Sequence, residues 1–215
     1  MSQTQPDPNR RFQFALDRAR ADWAAADPMR AAALAGCTVE PEGVSVSFFG
    51  KPYRVTHPDG IITPAPATAP SPPAAHRPVH PSVTIVLLHY LLTADGTPPA
   101  DRWIAFRELP DGLFYAQAFA GHAEVLLAER FGAEQGLAAF HRAATTLGGM
   151  PLDLADASYR FQAFPRLAVA VLVWEGDDEF PGQARILFDA AAGHYLPTED
   201  LSGVGDLLAH RLTRG

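Results

Sequence analysis

Apolar residues run without a break from Leu167 to Trp174. The valines at 169, 171 and 173, with no partner pattern of helical length, predict a buried central strand. Four carboxylates follow in five residues, Glu175, Asp177, Asp178 and Glu179. Phe180-Pro181-Gly182 then closes a turn ahead of a second apolar run, Ile186-Leu187-Phe188. This reads as strand, acidic turn, strand. Val44, Val46 and Phe48 alternate with serines, so the first three face inward, and Gly50-Lys51-Pro52 turns the chain into another short strand.

Helical spacing appears elsewhere. Phe12, Leu16, Ala19 and Trp23 form one apolar stripe over residues 11–26, which Asp27-Pro28 ends. Ser82 reads as the cap of a very apolar helix over 83–92 that closes at Asp95-Gly96. Two amphipathic helices are expected over 113–130, with Phe114, Ala118, Val125 and Leu126 inward, and over 133–147, with Leu137, Phe140 and Leu147 inward. A last helix starts near Thr198, its expected N-cap, with Val204, Leu207, Leu208 and Leu212 as its stripe. The predicted fold class is α+β: a mostly antiparallel sheet of about five strands, from segments near 44–48, 53–57, 159–164, 167–174 and 184–189, packed against several helices.

At 215 residues and 47% hydrophobic composition the chain is expected to form one domain over 1–215. Residues 1–10 are expected to be flexible, as is the internal loop over 63–81, where proline and alanine dominate. A net charge of −7 argues against nucleic acid as a partner. No apolar stretch suits a secretory signal or membrane insertion, and the single Cys37 rules out an intrachain disulfide, so a cytoplasmic location is expected.

Candidate chemistry is sparse. Nucleotide-binding glycine loops, a G-x-S-x-G elbow and H-E-x-x-H are all missing from the sequence. His76 and His80 stand four apart, but Pro78 and Pro81 argue against a shared helix and leave them as loop histidines. His122 and His141 fall on different predicted helices, with nothing to bring them together. Cys37 reads as a buried thiol unless a histidine approaches it. The carboxylates Asp177, Asp178 and Glu179 offer oxygen ligands to a hard cation such as Mg²⁺ or Ca²⁺, or form a solvated turn. Arg107 either anchors an anionic ligand or pairs with Glu108 or the acidic turn. His89, within the apolar helix, either titrates at a site or is a hydrogen-bonded core residue.

Several blocks stand in a fixed order: LLHYLL at 87–92, WIAFRELP at 103–110, WEGDDEFP at 174–181, LFD at 187–189 and YLPTEDL at 195–201. Together they resemble the family known as domain of unknown function thirty-seven eighty-six, and the likeness covers most of the chain. Its members are met largely in anaerobic bacteria and archaea. The resemblance implies an accessory role in anaerobic one-carbon or redox metabolism, with an iron–sulfur or corrinoid protein as partner. With one cysteine in this chain, any iron–sulfur centre would belong to that partner. No catalytic residue carries over.

The leading expectation is thus a protein that binds a small, unspecified cofactor or a redox partner. His89, Trp103, Arg107 and Trp174 would line the site. One alternative is a metal-assisted hydrolase with Asp177, Asp178 and Glu179 as ligands. Another is a structural subunit that docks through exposed aromatics.

Overall fold

The computed structural model describes residues 10–65 and 79–214. Most of the stretches expected to be flexible, residues 1–9 and 66–78 with His76, lie outside the described residues. By its internal contacts the chain divides into two compact units, Met1–Gly96 and Thr97–Gly215.

In the N-terminal unit, α1 (Arg10–Ala25) buries Leu16, Ala19 and Trp23 as its spacing requires. The Trp23 indole donates to the Thr56 carbonyl at 2.8 Å. Asp27 does more than end this helix. Its carboxylate accepts from the Met29 and Arg30 amides and caps a short second helix, α2 (Pro28–Ala35), which has proline at its start. Four antiparallel strands follow as a meander, β1 (Thr38–Glu40), β2 (Gly43–Phe48), β3 (Lys51–Val55) and β4 (Ile62–Pro64). Val44, Val46 and Phe48 are buried, as the alternation predicts. The apolar segment is the helix α3 (Pro81–Thr93). Its cap is His80 rather than Ser82: the His80 ring accepts from the Ser82 amide at 3.3 Å, and Pro81 takes the first helical position. Tyr90, buried on α3, donates its hydroxyl to the Ala35 carbonyl at 2.7 Å.

The C-terminal unit is built on β8 (Leu167–Trp174), the strand predicted by the apolar run. It is the middle of an antiparallel sheet in the order β5 (Trp103–Ala105), β9 (Gln183–Asp189), β8, β7 (Ala157–Phe164), β6 (Met150–Leu152). The α+β class and a five-strand antiparallel sheet therefore hold. One correction concerns membership: β2 and β3 were expected in this sheet and belong to the meander, while the three-residue β5 and β6 take the outer positions. Strands that short leave little alternation to detect.

Against the sheet lie a single π turn (Ala120–Glu124), α5 (Val125–Phe131) and α6 (Gly136–Thr146), while α4 (Gly112–Phe119), which leads into the π turn, and α7 (Thr198–Arg214), after β9, pack mainly on these helical segments. The inward stripe expected for the first helix is wrong. Phe114 is 84% exposed and Val125 is exposed, whereas Phe119, Ala123, Leu127 and Phe131 are buried. Each of those four follows the last by four residues, and the wider π turn absorbs the drift that a 3.6-residue period would accumulate. Phe119 stacks on Phe106 at 4.3 Å between ring centres, and both meet Phe188 of β9. Leu113, Phe114 and Tyr115 stand on the surface at the start of α4. On α7, Leu201, Val204, Leu208 and Leu212 are buried, and the Thr198 hydroxyl donates to the Pro110 carbonyl at 2.5 Å.

One buried carboxylate ties the entry of β5 to the exit of β9. Asp189 accepts from the Ala100 and Ala191 amides through Oδ1, at 2.9 and 2.8 Å, and from the Asp101 amide through Oδ2 at 2.9 Å. An amide in its place keeps the size but turns a donor toward one of these N–H groups. Asp189→Asn should therefore lower unfolding free energy by about 2 kcal/mol in urea titration. A loss under about 0.5 kcal/mol would mean that the carboxylate does not hold these loops.

Candidate functional site

The site arises from a mismatch in strand length. β5 pairs with β9 only at Trp103–Asp189, Ile104–Phe188 and Ala105–Leu187, so β9 from Gln183 to Ile186 has a neighbour on one side alone. Beyond Ala105 the chain turns away in a 3-10 turn, Phe106–Glu108, because the Glu108 side chain reaches back to accept from the Ala105 amide at 2.8 Å. Gly112 then starts α4 so close to the Phe106 carbonyl that any side chain there would collide with it. An open sheet edge is left beside a helix.

The π turn fills part of that edge. Glu124, 8% exposed, accepts from the Ile186 amide at 3.0 Å through one oxygen and from the Arg185 guanidinium at 2.7 Å through the other. A buried carboxylate is costly unless both oxygens are bonded, and here both are.

What remains open is a cleft of about 470 Å³. Its walls are Ala105, Phe106 and Arg107 from the end of β5, Ala116, Gln117 and Phe119 from α4, Ala120 and Glu124 from the π turn, Leu172 and Trp174 from β8, and Arg185 and Leu187 from β9. Its ionisable groups are two guanidiniums and one carboxylate. Arg185 is taken by Glu124. Arg107 has neither an ion pair nor a side-chain hydrogen bond among the described residues, since Glu108 is committed to Ala105. The cleft thus presents one uncompensated positive fork beside an indole and several apolar walls.

Two of the four residues expected at a cofactor site, Arg107 and Trp174, therefore meet in one cleft. Trp103 sits two residues before Ala105, opposite Asp189, and is not among the lining residues. His89 is half-buried on α3 of the N-terminal unit.

The acidic turn is closed by the Asp177 carboxylate on its own main chain. Asp177 accepts through Oδ1 from the Glu179 and Phe180 amides, at 2.9 and 2.7 Å, in the local loop closure that Asp favours. The Phe180 bond, then that from Glu179, hold its carboxyl below the ordinary value. The Gly176 amide donates to the Gly132 carbonyl at 2.8 Å, and Gly182 approaches Gly132 too closely for any side chain. Asp178 and Glu179 are exposed. A cation at Asp177 would compete with two main-chain N–H groups. Among the described residues no group of three or more His, Cys, Asp or Glu side chains is placed to hold a metal ion.

Glu124 and Arg185 were not singled out from sequence. The available signals were faint: a carboxylate next to a buried helical stripe, and an arginine alternating with Leu187 on one face of a strand. His141 bonds to the Tyr159 hydroxyl at 2.8 Å, while His122 faces Asp206 of α7. Burial chiefly raises the Asp206 carboxyl, against the pull of His122 and His210.

Fold and cleft together define an α+β protein with a small-molecule-sized cavity at an open sheet edge. The chain belongs to the family described as Domain of unknown function (DUF3786), whose sequence pattern matches residues 27–211, in agreement with the ordered motif blocks. No curated protein and no solved structure matches the chain. No helix among the described residues is long and apolar enough to cross a membrane.

Cys37 stands where α2 passes into β1, and burial pushes its thiol from 9.0 up to about 12. A raised folded value favours the folded state fully below pH 9, and that contribution is lost as pH rises from 9 through 12. Wild type should accordingly lose more stability than Cys37→Ala between pH 9 and pH 11. Equal losses would show that the folded thiol ionises normally.

Proposed function

We propose that the cleft beside Arg107 binds a small ligand with an anionic group on a flat apolar body, and that the protein serves as an accessory cofactor-binding subunit. The observation that carries this reading is the Arg107 guanidinium, without an ion pair among the described residues, in a cavity that also contains Trp174. About 470 Å³ lies within the range of roughly 300–1,000 Å³ usual for small-molecule sites. The planar fork of arginine suits a carboxylate, sulfonate or phosphate. Trp174, Leu172 and Leu187 supply apolar surface for the body of the ligand. Service to an iron–sulfur or corrinoid partner in anaerobic one-carbon or redox metabolism rests on the family resemblance alone.

The test uses 1-naphthyl sulfate, a flat apolar body with one negative charge, in isothermal titration calorimetry. Wild type is expected to bind one molecule. Arg107→Ala should weaken binding by about tenfold or more, the loss of a charge-assisted hydrogen bond. Trp174→Ala should weaken it several-fold, and Phe14→Ala, on the exposed side of α1, should leave it unchanged. No heat with wild type, or full affinity in Arg107→Ala, would overturn the reading.

A further inference from the structure

A second cavity, of about 180 Å³, lies among α5, α6 and α7 of the C-terminal unit, and we propose that it is a site for a small tetrahedral oxyanion. Arg130 of α5 and Arg142 of α6 both line it, and no carboxylate does. Neither guanidinium has an ion pair or a side-chain hydrogen bond among the described residues; Arg130 only overlies the Phe131 ring, at 5.5 Å. Two like charges that share a cavity repel each other, and in a chain of net charge −7 these two have no counter-ion among the described residues. An oxyanion between them removes the repulsion and meets two planar donor forks.

The sequence makes the room. Ala139, Arg142, Ala143 and Thr146 recur at three- and four-residue spacing, so they share one face of α6, and the alanines on either side of Arg142 leave a hollow. Phe131 and Leu212 close its apolar sides. The Thr146 hydroxyl already donates to the Arg142 carbonyl at 2.8 Å, which leaves the guanidiniums as the donors for an anion. Size selects the ligand class. The cavity falls below the roughly 300 Å³ at which drug-sized sites begin, and equals the volume share of about six waters. A phosphate or a terminal phosphoryl group fits this volume.

Inorganic phosphate titrated calorimetrically at pH 8, with sodium chloride at equal ionic strength as the blank, tests the site. One phosphate per chain should bind. Arg130→Gln and Arg142→Gln should each weaken it by about tenfold or more, and the double variant should abolish it. Both side chains are exposed, so these variants should fold as wild type does. Arg107→Ala should bind phosphate unchanged, which separates this cavity from the cleft at the sheet edge. A parallel titration with O-phosphoserine distinguishes the sources: binding of both assigns a phosphoryl group carried on a small molecule, and binding of phosphate alone assigns the free ion. Absence of heat with both probes would overturn the proposal. So would undiminished binding in the double variant, or a loss confined to Arg107→Ala.

Discussion

The C-terminal unit turns on how the Glu124 carboxylate meets the open edge of β9. A strand that outruns its neighbour leaves an amide with no ladder partner, and a buried one left so costs about 1–3 kcal/mol. The Ile186 amide would be that orphan, and Glu124 accepts from it while its other oxygen holds Arg185. The π turn follows from the same demand, since it lets the helix keep Phe119, Ala123, Leu127 and Phe131 inward and still deliver Glu124 to the edge. The cleft is the space left beside that bond, where a full-length β5 would otherwise lie.

Several of the ordered sequence blocks supply fasteners within the same unit. Asp189 gathers three amides from the two loops it joins. Glu108 bends the chain away from β9 after Ala105, and Tyr195 donates its hydroxyl to the Thr97 carbonyl. Thr198 bonds to Pro110. None of these four residues lines the cleft, and only Glu108, through Ala105, touches its wall. Arg107 and Trp174 come from two of the same blocks and do line it.

How much could be read in advance depended on whether the cause was local. The valines of β8, the alternation of Val44, Val46 and Phe48, and the stripe of α1 are local patterns, and each element formed as expected. The three residues of β5 carry too little pattern to announce a strand, so the edge that creates the cleft was invisible. Glu124 and Arg185 are 61 positions apart, and no periodicity links them. Phe114 is as apolar as Phe119, and the choice of which faces inward is made by Phe106 and Phe188, outside the helix. The prolines near His80 argue against a helix through it, yet proline at a first helical position is where a helix tolerates it best, and His80 caps α3.

The acidic bend is fastened to the tip of α5 by peptide groups alone, through Gly132, Gly176 and Gly182. The Asp177 carboxylate closes the bend on itself, whereas ionic strength acts on the other carboxylates without loosening the attachment to α5. Glu175, Asp178 and Glu179 are exposed and not required for it, which leaves them as a fixed negative prow on a chain of net charge −7. A rigid prow of one sign repels identical molecules and polyanions that approach from its side, and so biases which face of the unit an incoming body meets first.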